Sequence, residues 1–229
     1  MHQIGQLNEQ PLHRGLKRYF AGENGVTEVQ LAGYVIDVVL GEQLIEIQTG
    51  NFSAIRQKME SLVRDYPVRL VYPVAVEKWL LKEPKPGEGD GQTRRKSPRR
   101  GRLSEVFDEL VSFPELMRNP NFSLEIALIR EEEVREYQGG RHWRQNGWKT
   151  TERRLLEVVE CKTYLTPADL AKLLPDSLPR NFTTAEMAEE MRVSRRLAQK
   201  AAYCLRQMGV LTPIGKRGRS NLYAFGGNG

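Results

Sequence analysis

Two β-rich runs, Val35-Ile36-Asp37-Val38-Val39-Leu40 and Gln43-Leu44-Ile45-Glu46-Ile47-Gln48, flank Gly41-Glu42. Glycine at the first central position suits a two-residue type II′ turn, so the pattern predicts a β-hairpin. In that register Leu40 pairs with Gln43, Asp37 faces Glu46 and Val35 faces Gln48. Side chains alternate with period two, which puts Asp37, Glu46 and Gln48 on one face. Val35, Val39 and Leu44 share that face, and Ile36, Val38, Leu40, Ile45 and Ile47 fill the other. A hairpin apolar on both faces is expected to be buried on both. Two carboxylates directly opposite in such a ladder, about 4.5–5.5 Å apart at Cβ, destabilise the sheet. They want a cation, and hard divalent ions such as Mg²⁺ take oxygen ligands of this kind. The plainer expectation is a wet sheet margin at which the pair merely titrates.

The pattern before and after the hairpin predicts further elements. Asn8 is a fair cap for a helix from Glu9, with Pro11 in its first turn and Leu12, Leu16, Tyr19 and Phe20 as its apolar stripe. Glu9 on spacing alone is a first-turn acid that complements the helix dipole. Residues 26–31 read as a strand and residues 53–65 as a helix with Ile55, Met59, Leu62 and Val63 on one face. Arg56 and Lys58 open that helix near the exit of the hairpin, as solvated charges or as phosphate contacts. Residues 68–76 then complete a β–α–β crossover. Residues 82–102 carry Pro84, Pro86, Gly87, Gly89 and Gly91, which exclude regular structure, then Arg94, Arg95, Lys96, Arg99, Arg100 and Arg102 with no acid among them. An all-basic run fits a solvated loop or an arm that tracks phosphates. A helix over 103–117 and a strand over 122–129 follow, the latter extended into solvent by Glu131-Glu132-Glu133. Gly139-Gly140 opens a second basic patch, Arg141, His142, Trp143, Arg144, Trp148 and Lys149, whose aromatics either stack on bases or tuck into the next domain.

The last third reads as helices. One is expected over 153–161 and a short one after the Thr166-Pro167 cap. Thr183-Thr184-Ala185-Glu186 is a Thr-x-x-Glu capping box that opens a helix to Met191. Arg192-Val193-Ser194 turns the chain, and Ser194 caps a helix over 195–208 with Leu197, Ala201, Cys204, Leu205 and Met208 inward. Helix, three-residue turn, helix is the helix-turn-helix plan, whose second helix enters the major groove. Two apolar runs around the basic tip Gly215-Lys216-Arg217-Gly218-Arg219-Ser220 then make a wing-like hairpin. From Met191 to residue 229 there is no acid and there are eight Lys or Arg. Arg195, Arg196, Gln199, Lys200, Lys216, Arg217 and Arg219 are the residues expected to read bases or hold phosphates.

Composition narrows the choice of partner and compartment. A formal net charge of +6 on 229 residues points to a polyanion. No run of about 18 apolar residues marks a membrane helix, and the first residues lack the basic and apolar parts of a signal peptide. Cys161 and Cys204 fit reduced structural thiols of a cytoplasmic protein. His2, His13 and His142 are scattered and make no zinc pattern.

Residues 7–80 resemble the PD-(D/E)XK nuclease superfamily in the order helix, acid-bearing hairpin with Glu-x-Gln, helix, strand. Asp37 matches the first acid, with Ile36 in place of the proline. Glu46-Ile47-Gln48 matches the second acid and the lysine position, with Gln48 in place of lysine. Residues 150–229 resemble winged-helix DNA-binding domains. The resemblance implies an α/β fold, a restriction-endonuclease-like mixed sheet flanked by helices, over residues 1–138. A smaller winged helix-turn-helix domain follows over 139–229. It implies a metal-dependent DNA endonuclease in which Asp37, Glu46 and the first-helix acid Glu9 hold Mg²⁺ or Mn²⁺. Gln48 orients a water, and Arg56 or Lys58 supplies the displaced positive charge. Arg94, Arg95, Lys96, Arg99 and Arg100 join the winged helix in gripping DNA. RNA stays open as a partner, as do a homodimer and a defence or repair assembly. The rival expectation is a DNA-binding regulator whose nuclease-like domain is inactive.

Overall fold

A computed structural model of the chain describes residues 10–85, 87, 91–139 and 147–226. The expectations for Asn8, Glu9, Arg141, His142, Trp143 and Arg144 lie outside them. The chain is a mixed α/β protein built on one large, mostly antiparallel sheet flanked by helices.

Helix α1, Pro11–Ala21, starts with its proline at the first turn, where no amide partner is lost. Strands β1, Val26–Leu31, β2, Tyr34–Leu40, and β3, Gln43–Ile47, follow as antiparallel neighbours. The turn is the one expected: Leu40 pairs with Gln43, and Gly41 takes φ 60°. A 3-10 turn, Phe52–Ile55, and α2, Arg56–Leu62, cross over to β4, Val68–Lys82, which runs parallel to β3. β5, Thr93–Lys96, folds back on the far half of β4. β6, Phe122–Tyr137, lies parallel to β4 from Val68↔Phe122 to Lys82↔Arg135, and β7, Trp148–Tyr164, closes the sheet. The strand order is β1-β2-β3-β4-β6-β7, with β5 beside β4.

The second unit follows Tyr164. It comprises α4, Pro167–Ala171, β8, Asn181–Thr183, α5, Thr184–Glu190, α6, Arg195–Gln207, and the strands β9, Leu211–Arg217, and β10, Ser220–Phe225. Thr183 closes the capping box with Glu186, and Ser194 accepts from the Leu197 amide, as the sequence predicts. β8, β10 and β9 form a small antiparallel sheet.

The core has two parts. On one face of the large sheet Leu12 and Leu16 of α1 pack on Val38, Ile45, Ile47, Val71, Ala127 and Ile129. On the other, Phe52, Met59, Phe107, Leu110 and Phe113 share one continuous cluster with Leu197, Ala201 and Leu205 of α6. Phe52 stacks on Phe113 at 5.6 Å and meets Tyr72 edge-on at 5.4 Å. The second unit is therefore packed onto the sheet unit through apolar side chains. No helix among the described residues is long and apolar enough to cross a membrane.

Five expectations are corrected. Residues 82–102 are not without regular structure: β4 runs through Lys82 and Thr93–Lys96 forms β5 against it, because the cluster of prolines and glycines ends at Gly91. Residues 103–117 are not one helix: a 3-10 turn, Leu103–Val106, the short α3, Phe107–Leu110, and a second 3-10 turn, Pro114–Arg118, replace it. Pro114 removes an amide donor and forces Phe113 out of helical geometry. Residues 153–161 are strand, not helix. Val159, Leu156 and Thr151 are each an extra residue in β7 relative to β6. Such bulges insert one residue apiece, so Leu155, Val158 and Cys161 all pack toward α1 at a spacing of three. That spacing imitates a helical stripe. The division after residue 138 falls between two hydrogen-bonded strands, and the sheet unit runs on to Tyr164. Glu131, Glu132 and Glu133 do not enter solvent: all three are buried, because Lys78 of β4, Arg153 of β7 and Arg94 of β5 neutralise them.

The bulges make a testable distinction. Leu156→Lys and Val159→Lys, at exposed bulge positions, should each change urea stability by no more than about 0.5 kcal/mol. Leu155→Lys should cost about 2 kcal/mol or more by placing a charge against α1. Equal costs at all three would mean that β7 carries no such bulges.

Candidate carboxylate site

The ladder between β2 and β3 covers Leu40↔Gln43, Val39↔Leu44 and Val38↔Ile45, and stops one step before the two acids. Beyond it, side chains take over. The Ile47 amide donates to Asp37 Oδ2 at 2.9 Å, and the Asp37 amide to Glu46 Oε1 at 3.4 Å. β3 keeps its other ladder, with Glu46 beside Leu70 and Ile47 beside Val71 of β4. Asp37 and Glu46 are thus brought together as expected, but at a splayed strand margin inside the fold. The Glu46 side chain is only 6% exposed and that of Asp37 17%.

Each acid has its own cation or donor. Lys58, from the first turn of α2, brings Nζ to 2.6 Å from Glu46 Oε1 and also donates to the Val35 carbonyl. His13, from α1 on the opposite face, places Nε2 3.2 Å from Asp37 Oδ2 and 3.0 Å from the Ile47 carbonyl oxygen. The site therefore receives one residue from each helical layer. His13 escaped the sequence reading. Its one signal is its place beside the Leu12/Leu16 stripe of a helix expected to pack on the hairpin.

Burial, then the charge of Asp37, pushes the Glu46 carboxyl up to about 7, with Lys58 offsetting only part of the rise. Burial also opposes ionisation of Asp37. The hydrogen bond and charge of His13, the Ile47 amide and Lys58 outweigh it and hold Asp37 below its usual value. The pair is therefore asymmetric near neutrality, with Asp37 ionised and Glu46 close to its midpoint.

Gln48 turns away from the acids, its amide donating to the carbonyls of Gly50 and, at 3.4 Å, Asn51. Arg56 does not reach the pair either; it binds Glu60 at 2.8 Å and Glu115 at 3.2 Å. Of the two basic residues considered, Lys58 alone meets the carboxylates. Glu9 lies outside the described residues. Among the described residues no group of three or more His, Cys, Asp or Glu is arranged to hold a metal ion.

The basic residues separate into exposed and engaged. Arg195, Arg196 and Gln199 lie exposed on α6, and Tyr203 and Arg206, with the Arg206 guanidinium 5.8 Å from the Tyr203 ring centre, extend their stripe. Lys200 is instead a strut to α3, 2.9 Å from both the carboxylate and the carbonyl of Asp108. Lys216 and Arg219 are exposed, whereas Arg217 pairs with Glu186 at 2.5 Å. Arg94 binds Glu132 at 2.7 Å and lies 4.2 Å from the Trp79 ring centre, and Lys96 binds Glu77. Arg99 is 3.7 Å from Glu105, and Arg95 and Arg100 are exposed.

Residues 10–164, from α1 to the end of β7, match the family model described as a domain of unknown function (DUF8091). An uncharacterized protein of Treponema pallidum (strain Nichols) is 30% identical over 224 residues, which span 96% of this chain and 86% of that protein. No solved structure matches.

The raised carboxyl fixes a sign for pH dependence. A glutamate in the unfolded chain titrates near 4.3, so the cost of ionising Glu46 in the fold is absent below that pH. It grows with pH and is complete above about 7. In metal-free buffer, urea denaturation should show stability falling by about 1–3 kcal/mol between pH ~5 and ~8. Glu46→Gln should remove most of that fall; an unchanged fall in the variant would assign it to another group.

Proposed function

We propose that this chain, which belongs to the family described as a domain of unknown function (DUF8091), is a metal-dependent DNA endonuclease. It hydrolyses phosphodiester bonds at the Asp37–Glu46 pair. The observation that carries the reading is the lysine: Lys58 of the next helix is ion-paired with the buried carboxylate of Glu46, which itself accepts from the amide of the second acid, Asp37. A PD-(D/E)XK-like site with glutamine at its lysine position needs its positive charge from elsewhere, and Lys58 supplies it. The order α1, acid-bearing hairpin, α2, β4 agrees with a restriction-endonuclease-like core. The order α5, turn, α6, hairpin agrees with a winged helix whose exposed stripe, Arg195, Arg196, Gln199, Tyr203 and Arg206, faces DNA.

The donor set fits a hard divalent ion such as Mg²⁺ or Mn²⁺. Asp37, Glu46 and the Ile47 carbonyl offer oxygens, and His13 already bridges two of them with one nitrogen. When bound, the ion lowers the pKa of a water and offsets charge on the phosphate. Asp37, held ionised at neutral pH by His13 and the Ile47 amide, and Glu46 would be the carboxylates that hold the cation. Lys58 stabilises the negative charge that builds on the phosphate. Gln48 holds the turn that follows β3 and takes no part in proton transfer. A cytoplasmic location belongs to the same reading.

The direction in which the Gln48 amide points favours a second reading, a DNA-binding regulator with an inactive nuclease-like unit. Calorimetric titration with Mg²⁺ or Mn²⁺, beside cleavage of plasmid and branched DNA, separates the two. Asp37→Ala and Glu46→Ala are expected to abolish both metal binding and cleavage. Lys58→Ala should keep metal binding and lose cleavage by on the order of 10²-fold, with Arg56→Ala within about twofold of the wild type. Absence of metal binding in the wild type would sink the enzyme and leave the regulator. Binding without cutting would point to a missing partner subunit.

A further inference from the structure

His13 Nε2 lies 3.0 Å from the Ile47 carbonyl oxygen and 3.2 Å from Asp37 Oδ2. A carbonyl oxygen and an ionised carboxylate can only accept. The nitrogen between them is therefore the donor, and both oxygens share its proton. Asp37 Oδ2 also accepts from the Ile47 amide at 2.9 Å. His13 thus closes a ring of bonds that runs through one carboxylate oxygen and both polar backbone atoms of Ile47. A ring nitrogen that carries a proton has no lone pair to offer a metal ion. Lys58, the other side chain at the pair, contacts Glu46 alone of the three oxygen donors.

The helix that carries the ring is clamped. Leu12 and Leu16 on either side of His13 are buried in the core. Gly15 lets α1 approach β7 so closely that a Cβ there would lie 3.0 Å from that of Leu155. Lys17 pairs with Glu28 of β1 at 2.7 Å. Moving α1 would cost all of these contacts. The imidazole is less constrained, because the His13 side chain is 24% exposed. Rotation to another staggered rotamer carries it toward water at the cost of its bonds to Asp37 and Ile47.

We propose that His13 is a placeholder in this site: in the metal-free protein its Nε2–H holds the Asp37 carboxylate and the Ile47 carbonyl in the places from which they bind Mg²⁺ or Mn²⁺, and it gives up both oxygens rather than joining them as a ligand. This rests on the reading of the Asp37–Glu46 pair as a divalent-cation site. The placeholder has two opposed effects. It satisfies two oxygens at a dry strand margin, which stabilises the metal-free fold. It also competes for those oxygens, which weakens their hold on a cation. His13 acts through Asp37 and Ile47 and is a positioning residue.

The test titrates Mn²⁺ into the full chain by calorimetry, wild type beside His13→Ala and His13→Gln, with thermal melting of each followed in EDTA. His13→Ala should bind Mn²⁺ about tenfold more tightly, the weight of one hydrogen bond to a charged group, while melting at a lower temperature in EDTA. Simple damage to the fold would lower both affinity and melting temperature. His13→Gln, whose amide keeps a donor at similar reach, should return both toward the wild type. Electron-spin-echo spectra of Mn²⁺ bound to the wild type should show no imidazole nitrogen modulation that His13→Gln lacks. Such a modulation would make His13 a ligand and overturn the placeholder, as would equal or weaker Mn²⁺ binding by folded His13→Ala; either result leaves the cation site standing. Should His13→Ala fail to fold, the comparison of spectra between the wild type and His13→Gln decides. Absence of Mn²⁺ binding in the wild type and in both variants overturns the placeholder together with the cation site.

Discussion

The parallel ladder between β4 and β6 is the constraint on which the rest of the molecule depends. Those two strands stay paired from Val68↔Phe122 to Lys82↔Arg135, with a single shift of register between Ala75 and Glu77. At their near end they align β3, which carries Glu46. Parallel pairing needs a crossover, and the chain between them supplies it with the two 3-10 turns and α3, the elements that seat α6. At their far end they project past β3 as an arm. A slip of one residue would turn Leu124 and Ile126 out of one core and Ala127 and Ile129 out of the other.

The carboxylate site is the point at which this order is relaxed. The β2–β3 ladder gives up its last rungs, and the freed Ile47 amide is satisfied by Asp37 rather than by backbone. Two acids in a dry margin are costly unless paired. The fold answers with one cation on Glu46 and an imidazole on Asp37, drawn from helices on opposite faces of the sheet. Because both donors are side chains, the arrangement stays chemically adjustable where a closed ladder is not.

Much of this was legible in the sequence, for identifiable reasons. Gly41-Glu42 set the turn, the turn set the register, and the register put Asp37 near Glu46. The capping box at Thr183 and the Ser194 cap fixed α5 and α6 because capping chemistry is local. Tertiary decisions were hidden. Bulges at Thr151, Leu156 and Val159 gave β7 a helix-like spacing. The acids at 131–133 looked solvated until strands distant in sequence brought Lys78, Arg94 and Arg153 beside them. His13 carried no pattern of its own, and the choice between Arg56 and Lys58 depended on which side of α2 faced the sheet.

The Lys200–Asp108 strut and the apolar cluster shared by α6 and the sheet unit have a geometric consequence. The exposed stripe of α6 and the carboxylate pair belong to one body, with no tether between them. On the proposed function, a polymer held by the stripe meets the carboxylates at an offset written into the packing, in the manner of a jig, and pays no entropy to bring the two together.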